Sequence, residues 1–168
     1  LCPEQLPNAD AIINPNLPDC AFPSKHLAGV GVAFYFMLAL RAKLRKEDWY
    51  TKRNLTPYNV TNLLDLVALG TIADVVKLDH NNRILVHQGI SRIRSGYCCE
   101  GIKALLQIAK KEQSSFTATD LAFYVAPRLN AAGRMDNMSL GVELLLCDDF
   151  DTALEQAKNL DMLNNDRK

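Results

Sequence analysis

The sequence predicts the C-terminal, helix-rich part of an α/β domain, and three observations lead to this fold class. The 168 residues are 48% apolar and 23% charged, which is the composition of an ordinary globular protein. Apolar residues recur at helical spacing through most of the chain, whereas only residues 9–13 have the character of a buried strand. One strand followed by many helices is typical of an α/β domain whose sheet is built by an earlier part of the chain.

The N-terminal third is predicted to contain that strand and one long helix. The strand, Ala9–Ile13, ends at a turn that begins with Asn14-Pro15. Ser24 is the predicted N-cap of a helix over Lys25–Lys46. Apolar residues at 30–40 leave this helix almost no polar stripe, so we expect it to be buried on several sides.

Shorter helices are predicted for the rest of the chain. The first covers Thr61–Leu69 and stops at Gly70. Proline and capping residues set the limits of the others, because proline interrupts helical hydrogen bonding and capping side chains satisfy the first free amides. The predicted helices are Arg83–Arg94 capped by Asn82, Gly101–Lys111, a short helix from the capping box Thr117–Asp120 to Pro127, Ser139–Leu146 and Phe150–Asn165, with 127–134 as a loop.

Charge excludes one class of nucleic-acid binding and leaves another open. The chain has 19 basic and 19 acidic residues, so it cannot bind phosphates by bulk charge. The charges are nevertheless zoned: residues 25–53 contain seven basic and two acidic residues, and residues 83–134 contain eight and three. Residues 136–166 contain one basic and eight acidic residues. Such runs are typical of solvated helix faces, and the basic ones also suit a few placed phosphate contacts.

Cysteine, histidine and hydropathy patterns exclude further classes. None of the five cysteines has C-x-x-C spacing, and the three histidines form no H-x-x-x-H pair, so we expect no zinc site and reduced thiols in a cytoplasmic protein. The longest apolar run, 27–40, has 14 residues, fewer than the ~20 that span a membrane.

Asp74 is the first candidate functional residue. It lies between the apolar pairs Ile72-Ala73 and Val75-Val76, where an enclosed carboxylate needs a cation or hydrogen-bond donors. A structural interpretation makes it a helix N-cap or the partner of an arginine in a buried ion pair. A functional interpretation makes it a ligand of a hard metal ion or a general base. Spacing alone leaves both interpretations open.

The second candidate is the segment from Arg128 to Arg134. Two guanidinium groups with Asn130 and small residues between them suit phosphate oxygens that approach the backbone closely. In the structural alternative, these arginines pair with Asp136 and Glu143.

Six blocks of the sequence, in order, resemble the DHH phosphoesterase family, and within it the exonucleases that digest single-stranded DNA from the 5′ end. The blocks are AIINPN from Ala11, FPSKHLAGVGVAF from Phe22, LDLVALGTIADVV from Leu64, NRIL from Asn82, GIKALL from Gly101 and PRLNAAGR from Pro127. The resemblance covers essentially the whole chain. It implies a DHH-type parallel-sheet domain, with 1–150 as the later part of the catalytic domain and 151–168 as the start of a long helix toward a second domain.

The resemblance also implies a two-metal site for Mn²⁺ or Mg²⁺. The family takes its ligands from four motifs, and only the fourth is present here, which makes Asp74 a metal ligand and catalytic residue. Arg128, Asn130 and Arg134 would bind substrate phosphates. Because the other motifs are missing, we expect this chain alone to be inactive.

The implied partners are single-stranded DNA and proteins of repair and recombination, with no membrane. Two alternatives remain: a DHH phosphoesterase acting on short RNA, cyclic dinucleotides or pyrophosphate, and a non-catalytic DNA-binding or scaffold relative. A parallel-sheet domain without its early strands would expose apolar surface. We therefore also expect that the isolated chain can dimerise through it.

Overall fold

The computed structural model describes residues 6–133 and 138–165, and within these ranges every regular element is helical. Two 3₁₀ turns, Val60–Leu63 and Gln113–Ser115, and a π-helical segment, Leu121–Val125, join longer helices. The α-helices are α1 Gly29–Lys46, α2 Trp49–Lys52, α3 Leu64–Ala73, α4 His80–Arg94, α5 Glu100–Ile108, α6 Ala118–Asp120, α7 Ala126–Ala132, α8 Ser139–Leu146 and α9 Phe150–Asn165. The helix-rich character is therefore confirmed, while the sheet stays a prediction.

The main core lies between α3, α4, α5 and α9. α3 packs along α4, and α5 packs along α9, which contributes Ala153, Ala157 and Leu160. Gly89 on α4 allows the close approach to α3, because a Cβ atom at this position would collide with the backbone oxygen of Leu64. Burial of these apolar side chains is the main source of stability for the helices.

Helix α1 is buried on one side only, so the prediction of burial on several sides is wrong. Phe34 faces a second cluster with Val67 of α3 and Leu85 of α4. On the other side, Phe36 and Leu40 are 48% and 42% exposed. An apolar cavity of about 610 Å³ lies between this side and the preceding loop. Apolar pattern predicts that a face can be buried, but burial also requires an element to pack against it.

The predicted strand and the predicted start of α1 are also wrong. Residues 9–13 have no regular structure, and no described residue forms a strand that could pair with them. A strand needs such a neighbour to satisfy its backbone amides. Ser24 does not cap α1, because its hydroxyl donates to Asp79 Oδ2 at 2.7 Å and the helix begins at Gly29.

Local capping signals succeeded at some helix ends and failed at others. The bounds predicted for α8 and α9 and the capping box of Thr117 and Asp120 are confirmed. Gly70 does not stop α3, which continues to Ala73. The N-cap of α4 is Asp79, whose side chain accepts from the amide of Asn82 at 2.9 Å, and not Asn82 itself.

The predicted loop 127–134 is largely helical. α6, the π-helical segment and α7 follow one another without a break, and Pro127 occupies the first turn of α7. Pro127 therefore lies inside a continuous helical run, directly after the π-helical segment, and the prediction that the helix stops at this proline is wrong. Arg134 lies outside the described residues.

Candidate metal-ligand and phosphate-binding site

Asp74 is an exposed residue at the C-terminal end of α3, which corrects the expectation of an enclosed carboxylate. It occupies the C-cap position, and its amide donates to the carbonyl of Gly70. Among the described residues, no side chain lies within hydrogen-bond or ion-pair distance of its carboxylate. The carboxylate oxygens are therefore available to a ligand from outside this part of the chain.

Val75, the next residue, has a strained backbone. Its φ angle is 56°, in the left-handed region, and its side chain is 86% exposed. A β-branched residue is rarely found there, because its branched Cβ crowds the adjacent backbone. Such strain concentrates at binding and catalytic sites, where the surrounding structure maintains it.

Asn82 is the centre of the network that holds the segment after Asp74. Its side chain is fully buried, and its Nδ2 donates to the backbone oxygens of His26 and Lys77 at 2.7 and 2.9 Å. Partial burial raises the pKa of Asp79, but hydrogen bonds from the Asn82 amide and the Ser24 hydroxyl outweigh it and leave that pKa below the ordinary value. The network ties the loop before α1 to the loop between α3 and α4.

Sequence reasoning assigned Asn82 only a capping role. The signal in the sequence is the spacing of Asn82, which precedes Leu85 and Val86 by three and four residues. This spacing places Asn82 on the same buried side of α4.

Asp65, in the first turn of α3, is a buried carboxylate. Its Oδ2 accepts a hydrogen bond from the amide of Cys99, the N-cap residue of α5, at 2.9 Å. Burial raises the pKa of Cys98 to about 12 and that of Cys99 to about 11, and the charge of Asp65 acts in the same direction. The raised pKa values disfavour the thiolate, which is the form that binds metal ions.

Arg128 has a mainly internal role in the described structure. Its Nε and Nη2 both lie 2.8 Å from Oδ1 of Asp161 on α9, and its Nη1 donates to the backbone oxygen of Tyr124. The side chain is 14% exposed. The expected partner Glu143 is therefore replaced by Asp161, and Asp136 lies outside the described residues. Arg128 joins α7 to α9.

The two candidate segments lie on neighbouring elements. α3, which ends at Asp74, contacts α7, which carries Arg128 and the exposed Asn130. No group of three or more histidine, cysteine or carboxylate side chains in the described ranges is arranged to hold a metal ion. Asp74 fits a hard metal ion as one oxygen ligand, but the described residues do not complete such a site.

Comparison with curated proteins identifies the relatives of this chain. The protein named "Single-stranded-DNA-specific exonuclease RecJ" from Salmonella typhimurium is 62% identical over 165 residues, which are 98% of this chain and 29% of that protein. Over its whole length, this chain is similar to RecJ. RecJ of Haemophilus influenzae is 61% identical over 168 residues, again 29% of its length. The chain thus spans less than one third of these curated relatives, and no family model matches it.

Solved structures of RecJ show the same fold. A crystal structure of RecJ bound to manganese matches 99% of this chain and 39% of that one, with a TM-score of 0.78 and 32% identity. RecJ from Thermus thermophilus in complex with Mg²⁺ matches 89% of this chain and 21% of that one, with a TM-score of 0.69 and 34% identity. The resemblance predicted from the six sequence blocks is confirmed. Within the described ranges, none of the helices combines the length and apolarity needed to cross a bilayer.

Proposed function

We propose that the protein containing this chain is a metal-dependent exonuclease that hydrolyses single-stranded DNA from the 5′ end during DNA repair and recombination. The observation that carries this proposal is the 62% identity to RecJ across 98% of the chain. In this proposal, residues 1–150 are the later part of a DHH-type parallel-sheet domain in the cytoplasm, and the segment from 151 begins a connection to a second domain.

Asp74 is the proposed metal ligand and catalytic residue of this chain. Its carboxylate is a hard oxygen ligand and is exposed at the end of α3. The next residue, Val75, has a strained backbone of the kind that concentrates at functional sites. Mn²⁺ or Mg²⁺ ions would neutralise charge on the attacking and leaving oxygens of an in-line displacement at phosphorus. Asp74 would hold its carboxylate where that charge develops, with the Asn82 network keeping the following loop in place.

Arg128, Asn130 and Arg134 are proposed to bind substrate phosphates. Asn130 is exposed at the end of α7. Arg128 uses three of its five N–H donors within the protein, which leaves two for a phosphate and makes its orientation rigid. Phosphate contacts of this kind position a strand without reading its bases, as a sequence-tolerant nuclease requires.

The test of the proposed function is the substitution Asp74→Asn in the full-length protein. We expect mononucleotide release from a single-stranded oligonucleotide, in the presence of Mn²⁺, to fall by about 10³-fold or more, equivalent to about 4 kcal/mol of transition-state stabilisation. The exposed Asp148, between α8 and α9, provides the matched control Asp148→Asn, which should retain activity. Full activity in Asp74→Asn would exclude the proposed role. The isolated 168-residue chain should release no mononucleotides.

A further inference from the structure

A groove of about 270 Å³ runs along one side of α4. Its wall is formed by α4, and its far side by the residues that begin α6. The basic residues Arg83, His87 and Arg94 line it, and no carboxylate of residues 6–133 or 138–165 does. The other lining residues are Leu78, Val86, Ile90, Ser91, Thr117 and Ala118.

The two arginines are held in a similar way at opposite ends of the groove. Nε of Arg83 donates to the backbone oxygen of Leu78 at 2.9 Å, and Nε of Arg94 donates to that of Phe116 at 2.6 Å. Both side chains are exposed, and neither guanidinium forms an ion pair with a described carboxylate. Each arginine is thus anchored through Nε, while its Nη donors stay available to a ligand.

The spacing of the polar residues places them on one face of the helix. Arg83, His87, Ser91 and Arg94 follow one another at intervals of four, four and three residues, which is the pattern of one helical side. Eleven residues correspond to about 16 Å along the helix axis. Successive phosphates of a nucleic-acid strand are several ångströms apart, so this length can contact several of them.

We propose that this groove binds the phosphate backbone of single-stranded DNA, away from the Arg128–Arg134 segment. The proposal rests on the proposed function, because it takes the substrate from it. Anchored guanidinium groups with free N–H donors are suited to phosphate oxygens, and the absence of a lining carboxylate leaves no competing anion. The apolar lining residues Leu78, Val86 and Ile90 have no side-chain hydrogen-bonding groups that could distinguish one base from another. We therefore expect binding to be independent of base sequence.

The experiment measures binding of a 20-nucleotide oligo-dT, labelled at its 3′ end, to the full-length protein without divalent metal. Arg83→Ala and Arg94→Ala should each weaken affinity by about three- to tenfold and reduce the slope of log K against log salt by about 0.7, the value for one contact to a single strand. The double variant should lose about twice the slope. The matched control Arg45→Ala changes an exposed arginine of α1 and should leave the slope unaltered.

Turnover of a dinucleotide separates binding from chemistry, because its single internucleotide phosphate cannot occupy both ends of a groove about 16 Å long. We expect the double variant to retain dinucleotide turnover and the circular dichroism spectrum of the parent. Unchanged oligo-dT affinity in the double variant would overturn the proposal. A loss of dinucleotide turnover in the double variant, equal to its loss of oligo-dT affinity, would also overturn it. The same holds if the double variant binds oligo-dT normally but loses affinity for an acidic peptide.

The outcomes also distinguish this proposal from the proposed function. A full-length protein that binds no oligo-dT would contradict the proposed substrate itself. Normal oligo-dT binding that does not depend on Arg83 or Arg94 would contradict only the groove.

Discussion

Asp74 and Arg128 belong to the two sequence blocks that contain the candidate functional residues, but their surroundings in the fold are opposite. Asp74 is exposed at the end of α3, and no described side chain satisfies its carboxylate. Arg128 is 14% exposed and donates to a carboxylate and a backbone oxygen. The carboxylate is left for a ligand, whereas the guanidinium uses three of its five N–H donors within the protein. A charged residue in a candidate motif therefore shows its role through its partners and not through its type.

The largest expected effect on stability is at Arg128. Arg128→Ala leaves the Asp161 carboxylate in a partly buried position without its cation, and we expect the free energy of unfolding to fall by about 3 kcal/mol. Asp74→Ala should change it by less than about 0.5 kcal/mol, because no described partner is lost. Urea titration of the 168-residue chain, followed by circular dichroism, measures both.

A double-mutant cycle sharpens this result. Arg128→Ala and Asp161→Ala should show a coupling energy of about 1–3 kcal/mol. Equal stability losses for Asp74→Ala and Arg128→Ala would remove the contrast between the two sites.

The next effect concerns the loop after Asp74. Asn82→Ala removes two hydrogen bonds inside the protein, and we expect the free energy of unfolding to fall by about 2 kcal/mol. The carbonyl of His26 loses its Asn82 donor, whereas that of Lys77 still accepts from the amide of Asp79 at 2.9 Å. The control Gln88→Ala changes an exposed amide of the same helix and should be nearly neutral. If Asn82→Ala is as stable as Gln88→Ala in thermal unfolding, the network does not hold this loop.

The smallest effect is expected at Val75. Val75→Gly removes the branched side chain from a left-handed backbone, and we expect a gain in stability of up to about 1 kcal/mol after the entropic cost of glycine. Val76→Gly, at a neighbouring position without a positive φ, should destabilise the protein instead. Equal losses in the two variants, measured by urea titration, would show that Val75 stores no strain.

Local sequence signals predicted those helix ends whose determinants lie within a few residues. The Thr117 and Asp120 side chains cap each other's backbone within one helical turn. At the start of α9, Asp149 likewise accepts from the amide of Thr152 at 2.8 Å. Predictions failed where a distant partner competed. Ser24 lost its capping role because Asp79, 55 residues away in sequence, accepts its hydroxyl hydrogen bond.

For the candidate site, the sequence identified the residues but not their surroundings. Asp74 and Arg128 were both selected by type and spacing, and the burial predicted for Asp74 was wrong. Asp161 lies 33 residues from Arg128, so no local pattern could reveal the pair. In the sequence, the basic residues of α4 are only part of the charged segment 83–134. The groove beside them could not be predicted, because the start of α6 forms its second wall.

The sequence by itself determined the helical character, several helix ends and the relationship to RecJ, since these depend on residue order and short-range hydrogen bonds. Only the tertiary structure decided which charged groups are free. It exposed Asp74, buried Asp65 against the start of α5 and paired Arg128 with α9. The reason is physical: the free energy of a charge depends on the solvent and partners around it, and packing brings those partners from distant parts of the chain.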